Sequence, residues 1–209
     1  MTIKVHHLNE SRSQRILWML EELALDYEII AYQRDAVTRL APPELKKIHP
    51  LGKSPVIEDN GRVVAESGAI LDYLARWHGG EKFCFAPDDP QWPDYLHWMH
   101  YAEGSAMLPL MLNLYTMRLG EAGAPLQPRI ASEIDNHLGY VNAALGGKEF
   151  IVGDKFTAAD VQMSFVAEVA RAFGKLTAFP ALDAYIDRLH ARPAYKRGIE
   201  RGGPYSMGG

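Results

Sequence analysis

A single cysteine, Cys84, stands among the 209 residues of this chain. It cannot close an intramolecular disulfide, and so sparse a use of cysteine suits a reducing compartment. An excess of one charge is missing too: 22 basic against 26 acidic residues leave a net charge of -4, no footprint for a nucleic-acid partner. No uninterrupted apolar run reaches the length of a membrane span. Met1-Thr2-Ile3-Lys4-Val5 leads straight into a strand pattern and leaves no room for a secretory signal. The expectation is a cytoplasmic protein with neither a membrane nor a nucleic-acid partner. What is present, 47% apolar and 23% charged residues, suits a globular chain long enough for one large domain or two small ones.

The first eighty residues alternate element types. Ile3–Leu8 has strand character, and Ile16, Leu17, Leu20, Leu23 and Ala24 then form the stripe of an amphipathic helix. Tyr27–Tyr32 reads as a second strand, and Pro42-Pro43 opens a short helix that ends before Pro50 and Gly52. Two further strands, Pro55–Asp59 and Arg62–Ala65, meet at Asn60-Gly61, a strong hairpin signal, and Ile70, Leu71, Leu74 and Trp77 line the next helix. The order is β-α-β-α-β-β-α, a mixed α/β unit over residues 1–80. Gly79-Gly80, Pro87, Pro90 and Pro93 mark a linker, taken as 81–91. Residues 92–209 show no convincing strand. Helices are expected at Trp92–Leu119 (bent at Pro109), Pro128–Leu145, Thr157–Phe173 and Pro180–Arg192, with a mobile tail over Gly202–Gly209.

Two motifs stand out. In Thr157-Ala158-Ala159-Asp160 the hydroxyl and the carboxylate are spaced to cap a helix reciprocally, with Phe156 and Val161 placed as a hydrophobic staple; this reads as structural. Lys53-Ser54-Pro55, followed by Glu66-Ser67, reads differently. A proline inside a sheet pattern is confined to edges, strand starts and bulges. As a cis peptide at a strand start, Pro55 would turn the Ser54 N–H and C=O outward, to pair with an extended small peptide. Glu66 and Ser67 open the following helix and would hold the peptide's charged end, although both also suit ordinary capping.

With these motifs in this order, the whole chain resembles the cytosolic glutathione transferases: a thioredoxin-like α/β N-terminal domain followed by an all-α C-terminal domain. Ser11-Arg12-Ser13-Gln14-Arg15-Ile16-Leu17-Trp18 looks most like the bacterial and fungal members that place a hydroxyl near the end of the first strand. The resemblance implies glutathione as co-substrate. Ser54 would bind its cysteinyl part through the backbone beside Pro55, Glu66 its α-ammonium, Ser67 its α-carboxylate and Lys53 its glycyl carboxylate. It further implies a homodimer and a reaction joining the thiolate to a small apolar electrophile, with some peroxide reduction by the same thiolate. Tyr101, Ser105 and Met107 are candidates for the second substrate. No metal is implied: His97 and His100 are spaced i, i+3 without an evident third ligand.

No tyrosine precedes Tyr27 and Cys84 lies in the linker, so the group that meets the sulfur is sought among Asn9, Ser11 and Ser13. Ser11 falls best at the family's serine position, Ser13 second, and Asn9 is a supporting donor; all three also suit capping of the first helix. Lowering a thiol pKa by about 2 units takes about 2.7 kcal/mol. A hydrogen bond to a charged group supplies about 1.5–3 kcal/mol, and a helix N-terminus adds about 0.3–2. Serine would then act as donor to the sulfur, not as nucleophile. The rival readings are a glutathione-binding regulatory or interaction protein on the same fold, and a glutathione-dependent isomerase or dehalogenase. The sequence lacks the paired-serine signature expected of the isomerase.

Overall fold

Val5, Ile29 and Ile57 lie side by side in three neighbouring strands and set the plane on which the first unit is built. In the computed structural model of the chain, which describes residues 2–207, β1 (Ile3–Leu8), β2 (Tyr27–Tyr32), β3 (Val56–Asp59) and β4 (Arg62–Ala65) form a sheet of order β2-β1-β3-β4. β1 and β2 are parallel, which requires a crossover, and α1 (Ser13–Glu22) supplies it. β3 runs antiparallel to both β1 and β4. Asn60 (φ 48°) and Gly61 (φ 80°) both take the left-handed conformation that a two-residue hairpin turn demands. α2 (Ser67–Trp77) buries Ile70, Leu71 and Leu74 as read from the sequence, together with Ala75, whereas Trp77, expected on the same face, is 69% exposed in the last turn. The short helix expected after Pro42 is a 3₁₀ turn, Pro43–Lys47. Between Pro42 and Pro50 there are too few residues to offset the cost of nucleating an α-helix.

α1 is buried from Ser13 to Leu20, more than one amphipathic stripe provides. The cover comes from α8 (Pro193–Gly202), which opens on Pro193, a residue pre-set for the first helical position. Two glycines one turn apart let α8 approach. A Cβ on Gly198 would stand 3.0 Å from the Trp18 nitrogen, and one on Gly202 would stand 2.8 Å from Leu17 Cδ1. Arg192 pairs with Glu22 at 2.6 Å, and Arg197 and Arg201 pair with Glu21 at 2.7 and 3.1 Å. Residues up to Cys84 together with those from Leu189 on therefore form one compact unit, and Phe85–Arg188 the other. This differs from the 92–209 division drawn from composition, because α8 finds its partner 170 residues away. The expected mobile tail also differs. Ser206 donates through its backbone N–H and its hydroxyl to the Glu10 carboxylate, at 2.7 Å for the hydroxyl, while Gly208 and Gly209 lie outside the described residues.

The second unit is helical: α3 (Trp92–Tyr101), α4 (Met107–Met117), α5 (Gln127–Ala144), α6 (Ala158–Ala172) and α7 (Pro180–His190). α6 is buried along its length from Ala158 to Ala170, the mark of a central helix. The long first helix is interrupted not by a simple bend at Pro109 but by a π-helical segment, Ala102–Ala106, in which the Met107 N–H reaches back to the Ala102 carbonyl. Pro109 has no N–H for the Ser105 carbonyl, and the wider turn lies just where that bond is missing. No helix among the described residues is long and apolar enough to cross a membrane.

Candidate active site

The chain leaving β1 is held from two sides before it enters α1. On one side Arg34 donates its backbone N–H to Asn9 Oδ1 (2.8 Å), its Nε to the Asn9 carbonyl (3.1 Å) and Nη2 to the Glu10 carbonyl (3.1 Å). On the other, Ser206 holds the Glu10 carboxylate. Glu10 itself sits at φ 50°, a left-handed conformation that these contacts maintain.

Ser11 follows, 5% exposed. Its hydroxyl lies 2.7 Å from the Leu8 carbonyl and 2.9 Å from Ser13 Oγ, and it accepts the Ser13 N–H at 3.2 Å. Ser11 thus performs the capping duty weighed for it in the sequence, because Arg12, the residue at the N-cap, makes no side-chain capping bond. Ser13 is fully buried; its Oγ lies 2.8 Å from His7 Nδ1 and 3.1 Å from the Leu8 carbonyl. His7 Nε2 in turn lies 3.1 Å from the Gly202 carbonyl at the end of α8. Burial holds the His7 imidazole below its usual pKa, against the opposing pull of that carbonyl.

The Ser54–Pro55 peptide is cis, and the β1–β3 ladder begins at Val56. Ser54 Oγ donates to the His6 carbonyl (2.8 Å) and accepts the Leu8 N–H (3.1 Å), so one hydroxyl fastens this corner to the end of β1. Lys53 is exposed and Pro55 buried. Glu66 occupies the N-cap of α2 at φ 73°, ψ 120°, without a side-chain capping bond, and its side chain is exposed. A non-glycine residue there costs about 1–3 kcal/mol, which points to use rather than to packing. Ser67, the first residue of α2, is buried at the helix N-terminus, where backbone N–H groups favour an anion.

In the second unit a cleft of about 400 Å³ is lined by Leu96, His97, His100, Tyr101, Gly104 and Ser105. Tyr101 and Ser105 thus share a cavity wall, whereas Met107 is 2% exposed in the core and lines no part of it. The Tyr101 hydroxyl lies 2.6 Å from His137 Nδ1, and burial followed by the nearby Tyr140 hydroxyl pushes the phenol up to about 12. His97 stacks on Tyr101 and bonds the Tyr140 hydroxyl at 3.1 Å. No group of three or more potential metal ligands occurs among the described residues.

His7, Arg34, Gly202 and Ser206 were missed in the sequence. His6-His7 carried a strand signal, and nothing local distinguishes the inward histidine's partner, which lies 195 residues on. Arg34 reads as an ordinary loop cation.

Residues 1–76 match the family described as glutathione S-transferase, N-terminal domain, and residues 99–193 match its C-terminal domain. Glutathione S-transferase 1 of Saccharomyces cerevisiae is 33% identical over 95% of this chain and 94% of its own length. Glutathione S-transferase 3 of Schizosaccharomyces pombe is 38% identical over 78% and 72%. A solved glutathione S-transferase from Actinobacillus pleuropneumoniae superposes with a TM-score of 0.86 at 31% identity, covering 99% of this chain and 95% of that one. A glutathione transferase family member from Pseudomonas fluorescens, solved with two glutathione bound, gives 0.79 at 27% identity over 94% and 92%. By its two domains, its sheet order and these likenesses, the chain belongs to the glutathione S-transferase family.

Proposed function

We propose that this protein is a glutathione transferase that binds glutathione on its first unit and joins the thiolate to a small apolar electrophile. The observation that carries the reading is Glu66: an exposed carboxylate kept in a costly backbone conformation at the open start of α2, next to Ser67. In this reading Glu66 takes the γ-glutamyl ammonium, Ser67 and the helix N-terminus its carboxylate, the Ser54 backbone beside cis-Pro55 the cysteinyl part, and Lys53 the glycyl carboxylate. Ser11 is the donor to the sulfur at the start of α1. To reach it the hydroxyl rotates away from the Leu8 carbonyl, a change of acceptor that requires no backbone motion. Tyr101 and Ser105 are proposed to contact the second substrate. Met107, buried in the core, contributes packing instead. Peroxide reduction by the same thiolate is a secondary activity of this reading.

We read the protein as a cytoplasmic homodimer. The supporting feature is an exposed apolar row on α4, Leu108, Leu112 and Tyr115, continued by Leu119 just beyond. Sedimentation equilibrium showing a monomer at micromolar concentration would remove that part.

The test pairs calorimetry with turnover. Glutathione should bind, and conjugation to a general aromatic electrophile should fall about ten- to a hundredfold in Ser11→Ala, the loss of one hydrogen bond to a charged group. Binding without detectable conjugation would favour a regulatory role on the same fold.

A further inference from the structure

The contacts of His7 fix the direction of the hydrogen bonds from Gly202 to Ser13, whose hydroxyl oxygen stands 2.9 Å from Ser11 Oγ. The Gly202 carbonyl can only accept, so His7 Nε2 carries a proton and donates to it. In the neutral ring Nδ1 is then a bare acceptor, and Ser13 Oγ, 2.8 Å away, is the group that faces it. A serine has one proton. Given to Nδ1, it is unavailable to the Leu8 carbonyl at 3.1 Å and to Ser11 at 2.9 Å, so toward Ser11 the Ser13 oxygen accepts. In the structure the Ser11 hydroxyl donates to the Leu8 carbonyl at 2.7 Å; turned from there to Ser13 Oγ, 2.9 Å away, it leaves a lone pair of Ser11 Oγ for an incoming S–H. All the groups between are buried, so water does not compete along the chain. Among the described residues the groups bonded to His7 come from α1 (Ser13) and α8 (Gly202), and neither is charged.

We propose that His7 is the resident acceptor for the proton of the glutathione thiol, reached through Ser11 and Ser13. The S–H bond breaks as a proton moves to Ser11 Oγ; the Ser11 proton moves to Ser13 Oγ, and the Ser13 proton to His7 Nδ1. The products are a thiolate and an imidazolium. Ser11 now carries the former thiol proton and donates it in a hydrogen bond to the sulfur, the arrangement that the proposed function requires. Burial opposes the charge on His7, while the Gly202 carbonyl and the thiolate at the other end of the relay favour it. His7 touches no substrate; it acts through the two serines.

The inference rests on glutathione binding at this site, and one titration separates the two. Glutathione is added to the wild-type protein at neutral pH while thiolate is followed by its ultraviolet absorbance, and protons released are counted by calorimetry in buffers of different ionisation enthalpy. Wild type should form thiolate with release of close to zero protons per thiolate, because His7 retains them. His7→Asn offers Ser13 an acceptor but cannot hold the proton. It should bind glutathione with unchanged affinity, show several-fold less thiolate, release about one proton for each thiolate formed, and lose kcat rather than raise KM. Ser13→Ala, which interrupts the relay and leaves His7 in place, should behave like His7→Asn, and the double variant should lose no more than either. Should His7→Asn not fold, Ser13→Ala makes the same comparison. Release of about one proton per thiolate from wild type, or a His7→Asn variant identical to wild type, overturns the relay while leaving the proposed function intact. Absence of any thiolate signal from wild type overturns both.

Discussion

Two helices of this protein begin in opposite ways. At the start of α6 Asp160 accepts from the backbone of Thr157 (2.7 Å) and of Ile151 (2.9 Å) and from the Tyr185 hydroxyl (2.8 Å). Thr157 in turn accepts the Ala159 N–H at 3.3 Å, and the whole box is buried. At the start of α2 the residue in the capping position, Glu66, makes no capping bond, is exposed and sits at φ 73°. Every helix leaves its first N–H groups without intrahelical partners. α6 satisfies them from its own side chains and becomes a rigid centre for its unit. α2 leaves them without a side-chain cap, with Glu66 in a strained backbone conformation beside them, and the proposed function gives them to the carboxylate of glutathione. An unfilled cap with a strained acidic residue is therefore a more specific sign of a ligand than a serine at a helix start.

The contrast breaks most visibly at Asp160. Asp160→Ala removes the acceptor of four buried donors, the Thr157 and Ile151 N–H groups and the Thr157 and Tyr185 hydroxyls, and should lower the unfolding free energy by about 3 kcal/mol or more, measured by urea denaturation, with glutathione affinity unchanged in the protein that remains folded. Glu66→Ala should do the reverse. Glutathione should bind about ten- to a hundredfold more weakly by calorimetry, and the urea midpoint should hardly move. A large loss of stability in Glu66→Ala would mean that the two helix starts are alike after all. Glu66→Gly sharpens the point: it should bind as poorly as the alanine variant and unfold later by about 1 kcal/mol, since glycine adopts a positive φ freely.

A smaller effect separates the two by pH. Burial pushes the Asp160 carboxyl up to about 6, against the hydrogen bonds it accepts from Ile151, Thr157 and Tyr185. A carboxyl that holds its proton more tightly folded than unfolded stabilises the fold at low pH. That contribution is lost as pH rises from the ordinary Asp value of about 4 to about 6, and is flat above. Asp160→Asn should abolish this falling leg of the stability profile, whereas Glu66→Gln should leave it in place.

Local patterns made much of this legible in advance. The α1 stripe, the Asn60-Gly61 turn and the Thr157–Asp160 box depend on neighbours within a few residues, where spacing is sufficient evidence. The cis Pro55 was legible through a backbone rule that few residues can satisfy, whereas the positive φ of Glu66 had no signal in the sequence. The rest was out of reach because its physics is long-range. The His7–Gly202 and Glu10–Ser206 bonds join the two ends of the chain, and nothing in the Ala102–Ala106 sequence announces a π-helical turn. Among Asn9, Ser11 and Ser13 the sequence left a choice. In the structure Asn9 accepts from Arg34, Ser13 faces His7, and Ser11 lies beside Ser13; the proposed function assigns the sulfur to Ser11.

A crystal structure of the protein with reduced glutathione tests the central claim most directly. The account predicts the sulfur within about 3.5 Å of Ser11 Oγ, the outer limit of a hydrogen bond, with the γ-glutamyl ammonium on Glu66 and its carboxylate at the Ser67 N–H. A tripeptide bound away from Glu66, or a sulfur held by another group with Ser11 still on the Leu8 carbonyl, would contradict it.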